Sequence, residues 1–218
     1  MTNAPAGRVA RPPLSRDAIA RAALALIDRD GLAQLSMRTV GRALGVEAMA
    51  VYHHFAGKAD LLDAVADLLV AEIELPHLEA PDHWIGWLRA VAHAYRAVAT
   101  RHPQAFPLLA LRRFNSPAAF AFLERFGEVL AGAGFDAPMT ARAFRLLGFY
   151  LNGAALADIA IRGAPAPAGL DDPAALADRP HLRALGPHLG PATLDATFVF
   201  GLEELLARIA TLPRASPG

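Results

Sequence analysis

Tyr52, His53 and His54 stand side by side just before Phe55, with Arg38 and Arg42 upstream and Lys58 three residues downstream. A phenol and an ammonium at these places donate hydrogen bonds to phosphate oxygens, contacts that fix register but carry no base information. Ala48, Met49 and Ala50 precede them. Side chains that small or slender let a helix sit deep in a major groove, where base edges are read. This chemistry suits a duplex polyanion better than a covalent reaction. A plain helical hairpin with a tyrosine at its rim has the same spacing, and the residues alone leave that reading open.

The elements that position these side chains are legible on either side. Ser36 is a good N-cap, Met37, Val40 and Leu44 form an apolar stripe, and Gly45 tolerates the positive φ of a tight turn. A second short helix fits between Val46 and Phe55, with Val51 and Phe55 facing inward, which makes residues 36–55 a helix-turn-helix. Ser15 caps a preceding helix whose face is Ile19, Ala22, Ala23, Leu26 and Ile27, ending at Gly31. Asp60 is expected to cap a fourth helix carrying Leu61, Leu62, Val65, Leu68 and Leu69. The prolines between Pro76 and Pro81 mark a boundary. The organisation expected is a disordered arm over 1–13, a three-helix DNA-binding domain with its connecting helix over 14–75, a helical body over 82–212 and a flexible tail over 213–218.

The body reads as helices throughout. Segments begin near Trp84, Pro107, Pro117, Thr140 and Leu194, while residues 163–191 are rich in Pro and Gly with at most a turn near 174–177. Trp87, Phe106, Phe114, Phe126, Phe144, Phe149 and Tyr150 supply aromatic walls for an apolar pocket, and His93, Arg96, His102, Asn152 and Asp158 are candidate polar anchors. Ligand pockets combine the two in this way, although an aromatic at helical spacing is more often core. The helices near 140–161 and 193–209 are apolar on more than one face. Gly148, Phe149, Leu156, Phe198, Leu202 and Leu206, with Leu146 and Phe200, therefore suggest a four-helix interface between two copies.

The 218 residues carry no net charge, are 54% hydrophobic and 19% charged, and include no cysteine. That composition excludes disorder as a description of the whole, along with disulfides, thiolate metal sites and cysteine nucleophiles. Residues 1–60 hold eight basic and five acidic side chains, and the remainder holds thirteen and sixteen, so the cationic end is the one with the helix-turn-helix. There is no signal-like apolar run near Met1 and no unbroken run of about 18 apolar residues, so neither export nor a membrane span is expected and a cytoplasmic location is. Gly-rich phosphate loops, Gly-x-Ser-x-Gly, His-Glu-x-x-His and paired acids in the body are missing, which argues against an enzyme and for no cofactor.

Residues 15–74 resemble the N-terminal domain of the TetR family of bacterial repressors. The resemblance lies in Leu24, Ala25, Leu26 and Ile27, in Asp30 and Gly31, in Ser36, Met37 and Arg38, and in Leu44, Gly45 and Val46. It continues through Val51, Tyr52, His53, His54 and Phe55, then Gly57 and Lys58, then Leu61 and Leu62. It implies phosphate contacts from Tyr52, His54 and Lys58 and base reading near Arg38, Ala48 and Met49, with Arg42 and His53 as lesser candidates. Ala48 and Met49 offer only apolar contacts, such as to thymine methyls. Beyond Trp84 the chain is similar, more loosely, to the tetracycline-repressor branch, which implies a body that senses a small molecule and forms a homodimer. The aligned stretch 107–111 has no histidine, so no metal–drug site is expected. The expectation is an all-α, ligand-responsive repressor bound to double-stranded operator DNA and released by a small apolar effector. An all-α enzyme and an effector-independent DNA-binding structural protein are the alternatives.

Overall fold

The computed structural model describes residues 14–111, 116–164 and 176–215, and all regular structure among them is helical. The chain divides into two compact units, Met1–Val65 and Ala66–Gly218. Compactness thus divides the chain at residue 65, whereas composition marks residues 76–81; the reason is that one continuous helix carries the chain through the division. Phe114, the arm over 1–13, the first half of the turn near 174–177 and the tail end 216–218 lie outside the described residues.

In the first unit, α1 (Arg16–Asp30) starts where the Ser15 side chain accepts the Ala18 N–H, and it buries Ile19, Ala23 and Ile27. α2 (Met37–Leu44) starts with a reciprocal cap: Ser36 Oγ accepts the Thr39 N–H at 3.1 Å, and Thr39 Oγ1 accepts the Ser36 N–H at 2.9 Å. Two orphan donors of the helix end are satisfied at once. α3 (Ala48–Tyr52) follows, then α4 (Lys58–Ala71). Asp60 does not cap α4, because the helix begins two residues earlier and the Asp60 carboxylate turns back to the Ala56 N–H at 2.9 Å. Ile19, Ile27, Val40, Val51, Leu61 and Val65 are fully buried and form this unit's core. Truncating one of them to alanine costs about 2–5 kcal/mol where the residue is Leu or Ile.

The second unit is built on α5 (Trp84–Arg101) packed against α8 (Ala137–Gly163), with α10 (Leu194–Ala210) against both. α6 (Phe106–Leu111) and α7 (Pro117–Gly132) also contact α8. α8 starts three residues before Thr140, because Asp136 accepts the Met139 N–H at 2.8 Å and Pro138 fits the first turn. One helix departs from the expected pattern: α9 (Pro180–Leu185) sits inside the Pro- and Gly-rich stretch, started by Pro180 and stopped at Gly186. Residues 213–215 are not a loose tail. The Ala215 N–H donates to Gly134 O at 2.8 Å, and the Arg214 guanidinium lies 3.5 Å from the Phe135 ring centre.

Among the described residues, α8 is the helix that comes nearest to a membrane span. At 27 residues, with a mean hydropathy of 1.3 over its most apolar window, it is long and apolar enough by length and composition alone. Alanine and glycine lift that average without forming an unbroken apolar run. Two polar ties hold it to α5: Arg96 pairs with Asp158, and the Tyr95 hydroxyl donates to Asn152.

Candidate nucleic-acid interface and effector cavity

The turn between α2 and α3 is tight because two glycines permit it. Gly45 has φ 68°, in the left-handed region, and the Val46 N–H reaches back to Gly41 O at 2.9 Å. A Cβ on Gly41 would stand 2.9 Å from Val46 O and 3.3 Å from Ala48 N, both backbone atoms. The two helices touch there, backbone to backbone. Sequence reasoning missed Gly41; a glycine inside a short helix was the available signal.

This close approach fixes which way α3 faces. Val51 and Phe55 are buried beneath it, while Met49 is 65% and Tyr52 47% exposed. Arg38, Arg42, His53 and Lys58 are also exposed or partly so, whereas Ala48, Ala50 and His54 are half-buried. All the sequence-derived interface residues therefore lie in one compact unit, with Met49 and Tyr52 among the exposed ones.

Arg16 and Asp60 hold the end of α3, a role that sequence reasoning missed for both. The Arg16 guanidinium lies 4.1 Å over the Phe55 ring, donates to His54 O, and pairs with Asp60 at 2.8 Å. The Arg16 hydrogen bond, then the Ala56 N–H, hold the Asp60 carboxyl below the usual carboxylate range. Arg16 is thus occupied in fastening the loop from which His54 and Lys58 extend.

In the second unit, Val91 and Tyr95 of α5, Phe122 and Phe126 of α7, and Phe144 and Leu147 of α8 wall a half-open cavity of about 140 Å³. Gly148, Phe149 and Asn152 complete it, and Arg145 stands at its lining with no partner among the described residues. The Phe126 and Phe144 rings meet edge to face at 5.2 Å. The Tyr95 hydroxyl lies 2.5 Å from Asn152 Oδ1, and burial pushes the phenol well above its ordinary pKa, so it stays protonated and donates.

The structure thus brings Phe126, Phe144, Phe149 and Asn152 together from the candidate pocket residues and separates the others. Trp87 is core, its indole N–H bonded to Pro76 O at 2.9 Å, and Phe106 is fully buried against Tyr95. Tyr150 donates to Phe198 O at 2.6 Å on the α10 side, and His93 is exposed with its ring 5.6 Å from Phe198. Arg96 and Asp158 satisfy each other, with Asp195 as a second partner of Arg96 at 2.8 Å. A further cavity of about 280 Å³ beside them is lined by Arg96, Asp158 and Arg162 together with Ala99, Pro103, Ala155 and Ile159. His102 is tied to Glu72 at 3.0 Å, as is Arg101 at 2.6 Å. Burial pushes the Glu72 carboxyl up, but these two hydrogen bonds outweigh it and hold it below the usual range. Three candidates for the interface between copies are likewise corrected: Phe198, Leu202 and Leu206 are buried inside the protomer. Two positions along a helix turn through about 200°. Phe200, 69% exposed, and Phe149, 72% exposed, point outward instead. Leu156 is half-buried, and Gly148 lines the cavity.

An outward helix-turn-helix in one unit and a helical body with an apolar cavity in another define a helix-turn-helix protein with a separate body. The family description "Bacterial regulatory proteins, tetR family" matches residues 19–65, and "Tetracyclin repressor-like, C-terminal domain" matches residues 75–212. The chain belongs to the tetR family of bacterial regulatory proteins. Its N-terminal part is accordingly a helix-turn-helix DNA-binding domain.

An HTH-type transcriptional regulator of Saccharopolyspora erythraea is 38% identical over 125 residues, 57% of this chain. The match spans only about half of that relative, 52% of its length. The class A tetracycline repressor from transposon 1721 of Escherichia coli is 31% identical, over 90% of this chain and 91% of the repressor. Among solved structures, the Streptomyces coelicolor TetR family protein ActR in complex with actinorhodin is similar at a TM-score of 0.77 and 26% identity, covering 92% of this chain and 97% of ActR.

Proposed function

We propose that the protein is a homodimeric, ligand-responsive transcriptional repressor that binds a near-palindromic operator in the cytoplasm and performs no catalysis. One observation carries this reading: α3 is pinned from below by Val51 and Phe55 while Met49 and Tyr52 project outward. In the dimer, two copies of α3 enter successive major grooves about 34–36 Å apart. Arg38, Ala48 and Met49 face base edges; Tyr52, His54 and Lys58, joined by Arg42 and His53 at the margin, bind phosphates. The copies meet through the outer faces of α8 and α10, where Phe149, Leu156 and Phe200 lie beside small residues.

The effector enters the cavity walled by Phe126 and Phe144. It shifts the population away from the DNA-competent state in proportion to its differential affinity for the two states, with roughly 2.7 kcal/mol needed for a 100-fold change. α4 is the natural lever, since Glu72 just beyond its end is clasped by Arg101 and His102. ActR with actinorhodin supports an organic effector in a body of this kind. The test is selection of bound duplexes from a random pool. Two symmetric half-sites about one helical turn apart are expected, and enrichment of no sequence would overturn the proposal.

A further inference from the structure

The cavity walled by Phe126 and Phe144 has a chemical bias that narrows its occupant. Tyr95 and Asn152, 2.5 Å apart, form a polar corner in its wall. That separation suits O–H···O and is short for N–H···O, so tyrosine donates and the asparagine carbonyl accepts. The tyrosine proton is thereby spent within the pair. The donor that remains for a ligand is the Asn152 amide N–H, which has no partner among the described residues. The corner therefore offers a donor and rewards an acceptor. Arg145, also unpaired among the described residues, adds positive charge at the lining. Among the described residues, none that lines the cavity is acidic. The volume of about 140 Å³ is close to that of an engineered protein cavity that holds one benzene. Phe126 and Phe144, edge to face, offer a ring both faces and edges.

We propose that this cavity selects an aromatic ring carrying a carbonyl or carboxylate oxygen and a negative charge: the oxygen accepts from Asn152 and the charge is met by Arg145. The inference rests on the reading of this cavity as the effector site. Larger effectors of the same class place one ring inside and the remainder at the open side.

Four probes separate the contributions, each titrated into the full-length protein by calorimetry or ligand-observed NMR: toluene, acetophenone, benzoate and benzylammonium. Acetophenone is expected to bind about fivefold tighter than toluene, the worth of one net hydrogen bond. Benzoate binds tightest at low salt and falls toward acetophenone at 1 M salt, as Arg145 is screened. Benzylammonium binds weakest. Asn152→Asp keeps the partner of Tyr95 and the side-chain shape but removes the donor, so it abolishes the acetophenone advantage and improves benzylammonium. Arg145→Ala removes the salt dependence of benzoate and leaves acetophenone unchanged.

Gly148→Leu separates failure of the ligand class from failure of the site. A Cβ there meets nothing within 4 Å, and the new side chain fills the cavity while favouring the helix. If toluene and acetophenone bind equally and Gly148→Leu removes both, the site stands and the acceptor rule is overturned. If no ring binds, or Gly148→Leu leaves binding intact, the effector-site reading is overturned with it.

Discussion

Replacing Gly41 by alanine tests the backbone contact that aims α3. In an open helix this change stabilises by about 1 kcal/mol, because alanine is the better helix former. At Gly41 the added Cβ would meet Val46 O at 2.9 Å and Ala48 N at 3.3 Å. Neither is a side-chain tip able to swing away, so the backbone after Gly45 has to move by about half an ångström to restore ordinary contact. Overpacking of this kind costs about 1–3 kcal/mol. The net effect is a loss of roughly 0–2 kcal/mol, together with a displaced α3. Gly86→Ala in α5 is the matched control, since a Cβ there meets nothing within 4 Å, and it should gain close to the full helix-propensity increment. Urea unfolding should separate the two variants by about 1–3 kcal/mol, and fluorescence anisotropy should show weaker operator binding for Gly41→Ala alone. Equal stabilisation of both variants with unchanged affinity would refute the claim that close approach at Gly41 aims the helix.

Lys58→Ala should weaken binding to all duplexes alike and lower the slope of log affinity against log salt by about 0.9 for each phosphate it no longer neutralises; an unchanged slope would remove Lys58 from the phosphate set. Asp60 is held below the ordinary aspartate range by Arg16, so its contribution to stability is full above that range and disappears as pH falls through its lowered value. Acid titration of unfolding should therefore show a decline that Asp60→Asn flattens, and a curve identical to the unmodified protein would contradict it. Arg96→Met leaves Asp158 without its principal partner and should cost roughly 2–3 kcal/mol in chemical denaturation, less than for a fully buried pair because Asp158 keeps some access to water. Phe200→Glu should turn the dimer into a folded monomer by sedimentation and lower operator affinity, since Phe200 is exposed in the protomer; a persistent dimer would place the interface elsewhere.

Local signals were readable wherever the cause was local. Ser15, Ser36, Gly31 and Gly45 bound α1 and α2 as their chemistry requires, and Val51 and Phe55 fixed the inward side of α3. The misreadings arose where a distant group competes. Asp60 has the chemistry of a cap, but its carboxylate answers Arg16 from α1, 44 positions away. Arg96 and Asp158 have the chemistry of ligand anchors; packing of α5 on α8 brings them into contact, so each consumes the other. The apolar excess on α10 is evident in the sequence, yet Phe198 and Phe200 face opposite ways, and only the register of α10 against α8 assigns which is core. Arg145 is inconspicuous because it is one of four charged residues on α8 and its spacing does not distinguish it from the others. Its meaning comes from the cavity beside it.

The outward reach of α3 to base edges is tested most directly by base-resolved binding. Every position of a selected operator is varied, and affinities are compared for the unmodified protein and Met49→Ala. The account predicts that discrimination relaxes at one or two symmetric positions, by about 1–3 kcal/mol at most, while other positions keep their profile. A profile that Met49→Ala leaves unchanged everywhere, or scales uniformly as Lys58→Ala does, would contradict the placement of α3 in the groove.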